Sequence, residues 1–196
     1  MRRIKRISAW ILALAILLTL TVPALAAPSV QSEMQGSAAY MVSAVKAPEV
    51  GSIGGEWAVI GLARSGYSVP ADYYDEYYTR VEKYVKNCNG VLHDRKYTEY
   101  SRVILALTAI GRDPSKVAEY NLLTPLGDFE KTIWQGLNGP IWALIALDSG
   151  NYEIPKNPAA KTQATRQLYI DEILNNQMKD GGWSLTGTGD SDVDIT

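Results

Sequence analysis

Near the end of this 196-residue chain three aspartates stand at alternate positions, Asp190, Asp192 and Asp194, in the run GDSDVDIT. Clustered carboxylates could do three kinds of work. One of them, here Asp194, can be held protonated by its neighbours and act as a general acid. The alternating spacing also fits the first ligand positions of a calcium loop, although no glycine follows it. The third role is structural: Asp192 or Asp194 would accept bonds from the free N–H groups that open a helix. Transition-metal chemistry is not expected, because the single histidine, His93, and the single cysteine, Cys88, lie far from the aspartates in sequence. His93, in VLHDRK, has no nucleophile beside it and reads as solvated. Cys88 falls on an apolar stripe, reads as a buried hydrophobe, and has no partner for a disulfide.

A second group of candidates opens three similar stretches. Glu56 and Trp57 begin GGEWAVIGLARSGYSVP; Glu99, Tyr100 and Arg102 open TEYSRVILALTAIGRDP, with Tyr97 just before it; Asn138 and Trp142 begin NGPIWALIALDSGNYEIP. Aromatics, carboxylates and an arginine converging on one rim are what a small-ligand or peptide pocket needs. The plainer readings are that Asn138 is an N-cap and that both tryptophans are core.

What would position these residues is a series of helix pairs. Each stretch is a short helix rich in Ala, Leu and Ile, ended by Gly66, Gly111 or Gly150 and followed by Pro70, Pro114 or Pro155. The stop glycines lie 45 and 39 residues apart, the size of a helix-pair repeat. Apolar residues surround these helices, and Ile141 to Leu147 contains no polar residue, so they are predicted to be buried all round. Between them, ADYYDEYYTRVEKYVKNC carries Tyr74, Tyr77, Tyr78, Val81, Val85 and Cys88 on one face and charge on the rest. TRQLYIDEILNNQ repeats the pattern through Tyr169, Ile173 and Leu174, and a first surface helix is expected from about Gln31 to Lys46. Buried helices joined through outer ones run parallel, so their N-termini gather at one end. The expected fold is all-α, an α/α toroid or part of one.

Residues 1–26 read as a cleaved signal peptide: Arg2, Arg3, Lys5 and Arg6, then an apolar run from Ala9 to Val22, then Ala24-Leu25-Ala26. The run is too short for a membrane span, so a secreted or extracellular protein is expected, with a cell-wall association open. Residues 27–196 form one domain. They carry 15 basic against 21 acidic side chains, which argues against nucleic acid as a partner.

Gln177-x-x-x-Gly181-x-Trp183, following LYIDEILNN, resembles the QW motif of the prenyltransferase and squalene-cyclase repeat superfamily. KYTEYSRVILALTAIG and QGLNGPIWALIALDSG look like repeats of its secreted bacterial, terpene-cyclase-like members. The resemblance runs from about Met34 to Thr196. It implies a toroid with more inner helices than the three seen here plus a first turn at Asp194. The chain therefore reads as an N-terminal portion that continues beyond Thr196 into further domains. The cyclases of the superfamily protonate an alkene with an Asp of a D-x-D-D motif. Asp192-Val193-Asp194 keeps its first and third positions, making Asp194 the acid, while Ile195 replaces the fourth. The protein prenyltransferases hold zinc with Asp, Cys and His, and neither Cys nor His is near. The cobalamin carriers, transcobalamin and intrinsic factor, have a V-D-T-A stretch similar to Val193–Thr196, which implies a corrinoid ligand and no catalytic cofactor. The resemblance favours a non-catalytic surface binding module holding a small ligand, corrinoid-like, or a peptide or glycan. Glu56, Trp57, Tyr97, Tyr100, Arg102, Asn138, Trp142, Asp190 and Asp192 would line its site. A terpene cyclase using Asp194 is the alternative, and a structural adhesion repeat a third.

Overall fold

A computed structural model describes residues 29–52 and 54–196. The expected signal peptide lies outside the described residues. Seven α-helices follow in order: α1 Val30–Ala44, α2 Glu56–Ser65, α3 Tyr73–Asn87, α4 Thr98–Ala109, α5 Phe129–Ile133, α6 Asn138–Ser149 and α7 Arg166–Asn175. Among the described residues there is no strand, only two isolated bridges, so the fold is all-α. None of these helices is long and apolar enough to cross a membrane. Of the two units into which the chain divides, the one from Ala38 to Thr196 holds every side chain discussed below.

Helix direction follows from which ends meet. Trp57 at the start of α2 touches Trp142 in the second turn of α6, and Glu56 approaches Arg102 in the second turn of α4. At the other end, Thr108 of α4 shares a 2.9 Å hydrogen bond with Tyr152, just beyond α6. The helices α2, α4 and α6 therefore run the same way. Helix α3 runs against them: Arg112, beyond the end of α4, pairs with Asp75 at 2.6 Å and lies over the Tyr78 ring near the start of α3. Helix α7 likewise begins where α6 ends, through Arg166 and Asp148 at 2.5 Å. Helix α4 packs against both α2 and α6.

Burial departs from the all-round expectation in a graded way. In α4, Tyr100, Ser101, Val103, Ile104, Ala106 and Leu107 are buried. In α6 only Gly139, Pro140, Ala143, Ala146 and Leu147 are, and Ile145 is 42% exposed. Trp57 on α2 is 41% exposed. The flanking helices thus keep one apolar face uncovered, because no further helix in the described chain packs on it as α4 is packed.

All three glycine stops fall at helix ends. Gly66 and Gly111 take left-handed φ values of 69° and 73°. Gly150 caps its helix with a φ of −128°, and Asn151 takes the left-handed position at 53°. Gly150 is required for space instead, since a Cβ there would collide with the Tyr152 ring.

The outer layer is less regular than the sequence suggests. The α3 stripe is Tyr73, Tyr77, Val81 and Val85, all buried, with Tyr74, Tyr78 and Cys88 only half-buried. Tyr73 belongs inside because its hydroxyl reaches the Val45 carbonyl at 2.7 Å. Between α4 and α6 the outer element is a 3-10 turn, Thr124–Gly127, and the five-residue α5. Leu122, Leu123 and Leu126 plug this region, while Pro125 and Gly127 rule out a long helix. Tyr169 of α7 ties it down: fully buried, it donates to the Leu126 carbonyl at 2.7 Å and meets the Thr132 hydroxyl at 3.1 Å. Leu174, expected on the buried stripe of α7, is 56% exposed. Replacing Tyr169 with Phe keeps the ring and strands a buried carbonyl, so it should cost about 1–3 kcal/mol in urea unfolding.

Candidate functional site

The N-terminal ends of α2, α4 and α6 meet, and the sequence-derived candidates divide there into two sets. Trp57 and Trp142 stand edge to face with ring centroids 5.2 Å apart at an angle of 60°. Both remain accessible to solvent, so this pair is an aromatic surface and not core.

Glu56 precedes Trp57 by one residue, about 100° around the helix, and turns inward. Its side chain is fully buried. Oε1 accepts from the Gly51 N–H at 2.8 Å, and Oε2 lies 3.9 Å from Arg102 Nε with no hydrogen bond. Arg102 also pairs with Glu99 one turn earlier. Burial raises the Glu56 carboxyl above the usual carboxylate range; the Gly51 N–H and Arg102 pull it back. Behind it, the Tyr77 hydroxyl of α3 is buried without a partner, and burial followed by the Glu56 charge pushes it well up. Glu56, Arg102, Glu99 and Tyr77 therefore form a polar wedge between α2, α3 and α4. Glu56 anchors the chain at Gly51 and is not a rim-lining group.

Tyr97 and Tyr100 also leave the expected set. Their rings meet edge to face with centroids 5.1 Å apart, and both are buried. The Tyr100 hydroxyl accepts from Leu92 N–H at 3.1 Å and donates to the Gly90 carbonyl at 3.4 Å. Burial pushes its pKa up to about 12. They support the 90–97 loop on the side of α4 away from the tryptophans.

Asn138 is not an N-cap. That position falls to Leu137, whose N–H donates to the Leu185 carbonyl at 3.1 Å, and Asn138 is the first helical residue, half-exposed. The start of α4 is instead closed by Gln135, whose Oε1 accepts from both the Thr98 N–H and hydroxyl. His93 is engaged, not merely solvated: its Nδ1 accepts from the N–H groups of Arg95 and Lys96, each at 3.1 Å.

Asp190, Asp192 and Asp194 are all exposed. No helix opens at the aspartates; Asp192 instead closes a turn, its Oδ1 accepting from Asp194 N–H at 2.7 Å and its carbonyl from Thr196 N–H at 2.9 Å. Asp190 borders a groove of about 460 Å³ with Asp180 and Lys179. Asp180 is the acid the sequence did not single out. It accepts from Ser191 at 2.7 Å and Gly182 N–H at 3.1 Å, and the Ser191 hydroxyl chiefly holds its carboxyl below the usual range. No cluster of three or more His, Cys, Asp or Glu suited to a metal occurs among the described residues.

The Gln177–Trp183 motif closes on its own helix pair. Trp183 Nε1 donates to the Ile173 carbonyl at the end of α7, and Gln177 donates to the Gly181 carbonyl, at 2.7 and 2.8 Å. Comparison with protein-family models, with curated proteins and with solved structures gives no match.

The wedge makes a testable claim. Glu56→Ala strands the Gly51 N–H and Arg102 and should cost about 3–5 kcal/mol, whereas Glu56→Gln, which retains an acceptor, should cost much less. A buried carboxyl with a raised pKa stabilises the fold below its unfolded value near 4.5, and that contribution is lost as pH rises through the folded value. Glu56→Gln should therefore gain on the wild type as pH rises from about 4 to 8 in thermal melts.

Proposed function

We propose that this chain is an exported, non-catalytic binding module of α/α-toroid type, of the prenyltransferase and squalene-cyclase repeat kind. It holds a small ligand, corrinoid-like by its resemblance to the cobalamin carriers, or a peptide or glycan, at the N-terminal rim of its inner helices. The observation that carries the reading is the Trp57–Trp142 pair. Two indoles from separate helices, Trp57 exposed and Trp142 half-buried, meet at the end where three parallel helices begin, the end that also carries the partly exposed Arg102 side chain. A flat, largely apolar ligand with polar edges gains from such a surface through stacking and area burial. Asp194, exposed and set in a turn capped by Asp192, lacks the dry surroundings an alkene-protonating acid requires, so the cyclase alternative draws no support from its placement.

Titrating cobalamin against the protein and following visible absorbance tests the reading. Retention at micromolar protein is expected, with at least about tenfold weaker binding in Trp57→Ala and Trp142→Ala at unchanged helical content. Retention equal in both variants, or none in the wild type with cobalamin, peptide and glycan probes alike, overturns the assignment.

A further inference from the structure

A second concave surface lies on the opposite side of α4 from the tryptophans, and the rim reading makes no use of it. It is a groove of about 450 Å³ between the loop that precedes α4, the tight turn at Val117–Tyr120 and the segment leading into α5. Its walls carry three carboxylates, Asp94, Glu119 and Asp128, and the aromatic rings of Tyr97 and Tyr120. Among the described residues none of these carboxylates has a lysine or arginine within ion-pair distance. The single cation of the lining, Lys131, holds its ammonium 6.0 Å from the centroid of the Tyr97 ring. Asp94 and Asp128 both press on the Tyr97 hydroxyl, adding to the effect of its burial.

The walls are also firmly built. Val117 and Tyr120 exchange two backbone hydrogen bonds of 2.9 Å, which forces Ala118 and Glu119 between them to φ values of 48° and 72°. The Tyr120 ring lies so close to Gly90 that any side chain there would collide with it. Asp128 is buried and caps α5 through the Lys131 N–H at 3.1 Å. Glu119 and Tyr120 are thus fixed on one wall and Asp128 on the other.

An aromatic face flanked by carboxylates that have no lysine or arginine partner, with an amine 6.0 Å from the ring centre, is the chemistry that selects an organic ammonium. We propose that this groove is a second binding site, for a primary alkylammonium group, with the ammonium of Lys131 as its internal occupant. A ligand amine would displace Lys131 from the Tyr97 face and take up the carboxylates. The amine could belong to a free diamine or to a lysine side chain; the groove's chemistry is the same for both.

Calorimetric titration of the full chain with 1,5-diaminopentane and with Nα-acetyl-lysine amide tests this, with 1,5-pentanediol as the uncharged control. At least one amine should bind and the diol should not; the amine that binds identifies the source. Lys131→Gln should tighten the amine about threefold or more by removing the competitor. Asp94→Asn combined with Glu119→Gln, both at exposed positions, should weaken it about tenfold. The proposal is overturned if neither amine binds the wild type or Lys131→Gln, if the diol binds equally, or if the double variant binds as the wild type does. Cobalamin retention, read on the same variants, should not move, which keeps the fate of this site separate from that of the rim.

Discussion

Helix α4 must be dehydrated on most of its circumference, and the rest of the molecule is arranged to do that. Ile104, Ala106 and Leu107 are fully buried, as is Ser101, whose hydroxyl finds no partner. A helix this apolar cannot face water, yet α2 and α6 alone cover only its flanks. The outer layer supplies the remaining cover through Tyr77, Val81 and Val85 of α3 and the leucines between α4 and α5. Because α3 must span from the end of α2 back to the start of α4, it runs antiparallel to both, and the inner helices are left parallel. Parallelism in turn gathers Trp57, Arg102 and Trp142 at one end.

Bringing a carboxylate into this construction carries an electrostatic cost. Glu56 is buried fully, with one oxygen bonded to a backbone N–H and the other only near a guanidinium that Glu99 also claims. A buried ion pair of this kind stabilises a fold no more than well-packed apolar residues in place of both partners would, although removal of one partner alone is costly. What Glu56 does in return is specific: it fixes Gly51 against the start of α2 and draws α4 towards α2 through Arg102. The geometry of the tryptophan pair depends on both.

Much of this was legible in the chain. Glycine–proline punctuation marked the inner helices, and Gly66 and Gly111 ended them as left-handed residues. Gly150 did not, because Asn151 can adopt the left-handed conformation in its place, and sequence alone does not rank the two. The proximity of Glu56, Trp57, Arg102 and Trp142 followed from parallel inner helices. Tyr97 and Tyr100 were misplaced for a reason of angle. On an α-helix, Tyr100 points about 200° away from Arg102, so an arginine directed towards α2 implies a tyrosine directed towards the outer layer. Asp180, Gln135 and the Gly51–Glu56 bond were invisible because each joins segments whose approach is decided by packing.

The parallel arrangement also raises a question of dipoles. Three helices starting at one end place three partial positive charges side by side, which repels. Glu56 and Glu99 stand in the first turns of α2 and α4 and offset two of them, while the first turn of α6, Asn138-Gly139-Pro140, has no acid. The composition of that turn follows from packing: a Cβ at Gly139 would strike the Thr132 carbonyl, and Pro140 is buried. Its opening is closed by a neutral acceptor, the Leu185 carbonyl, taken up by Leu137 N–H. The segment after α7 therefore folds back onto the start of α6. Trp183, donating to the Ile173 carbonyl, sets where that segment turns, so the tryptophan motif and the opening of the third inner helix are mechanically one unit.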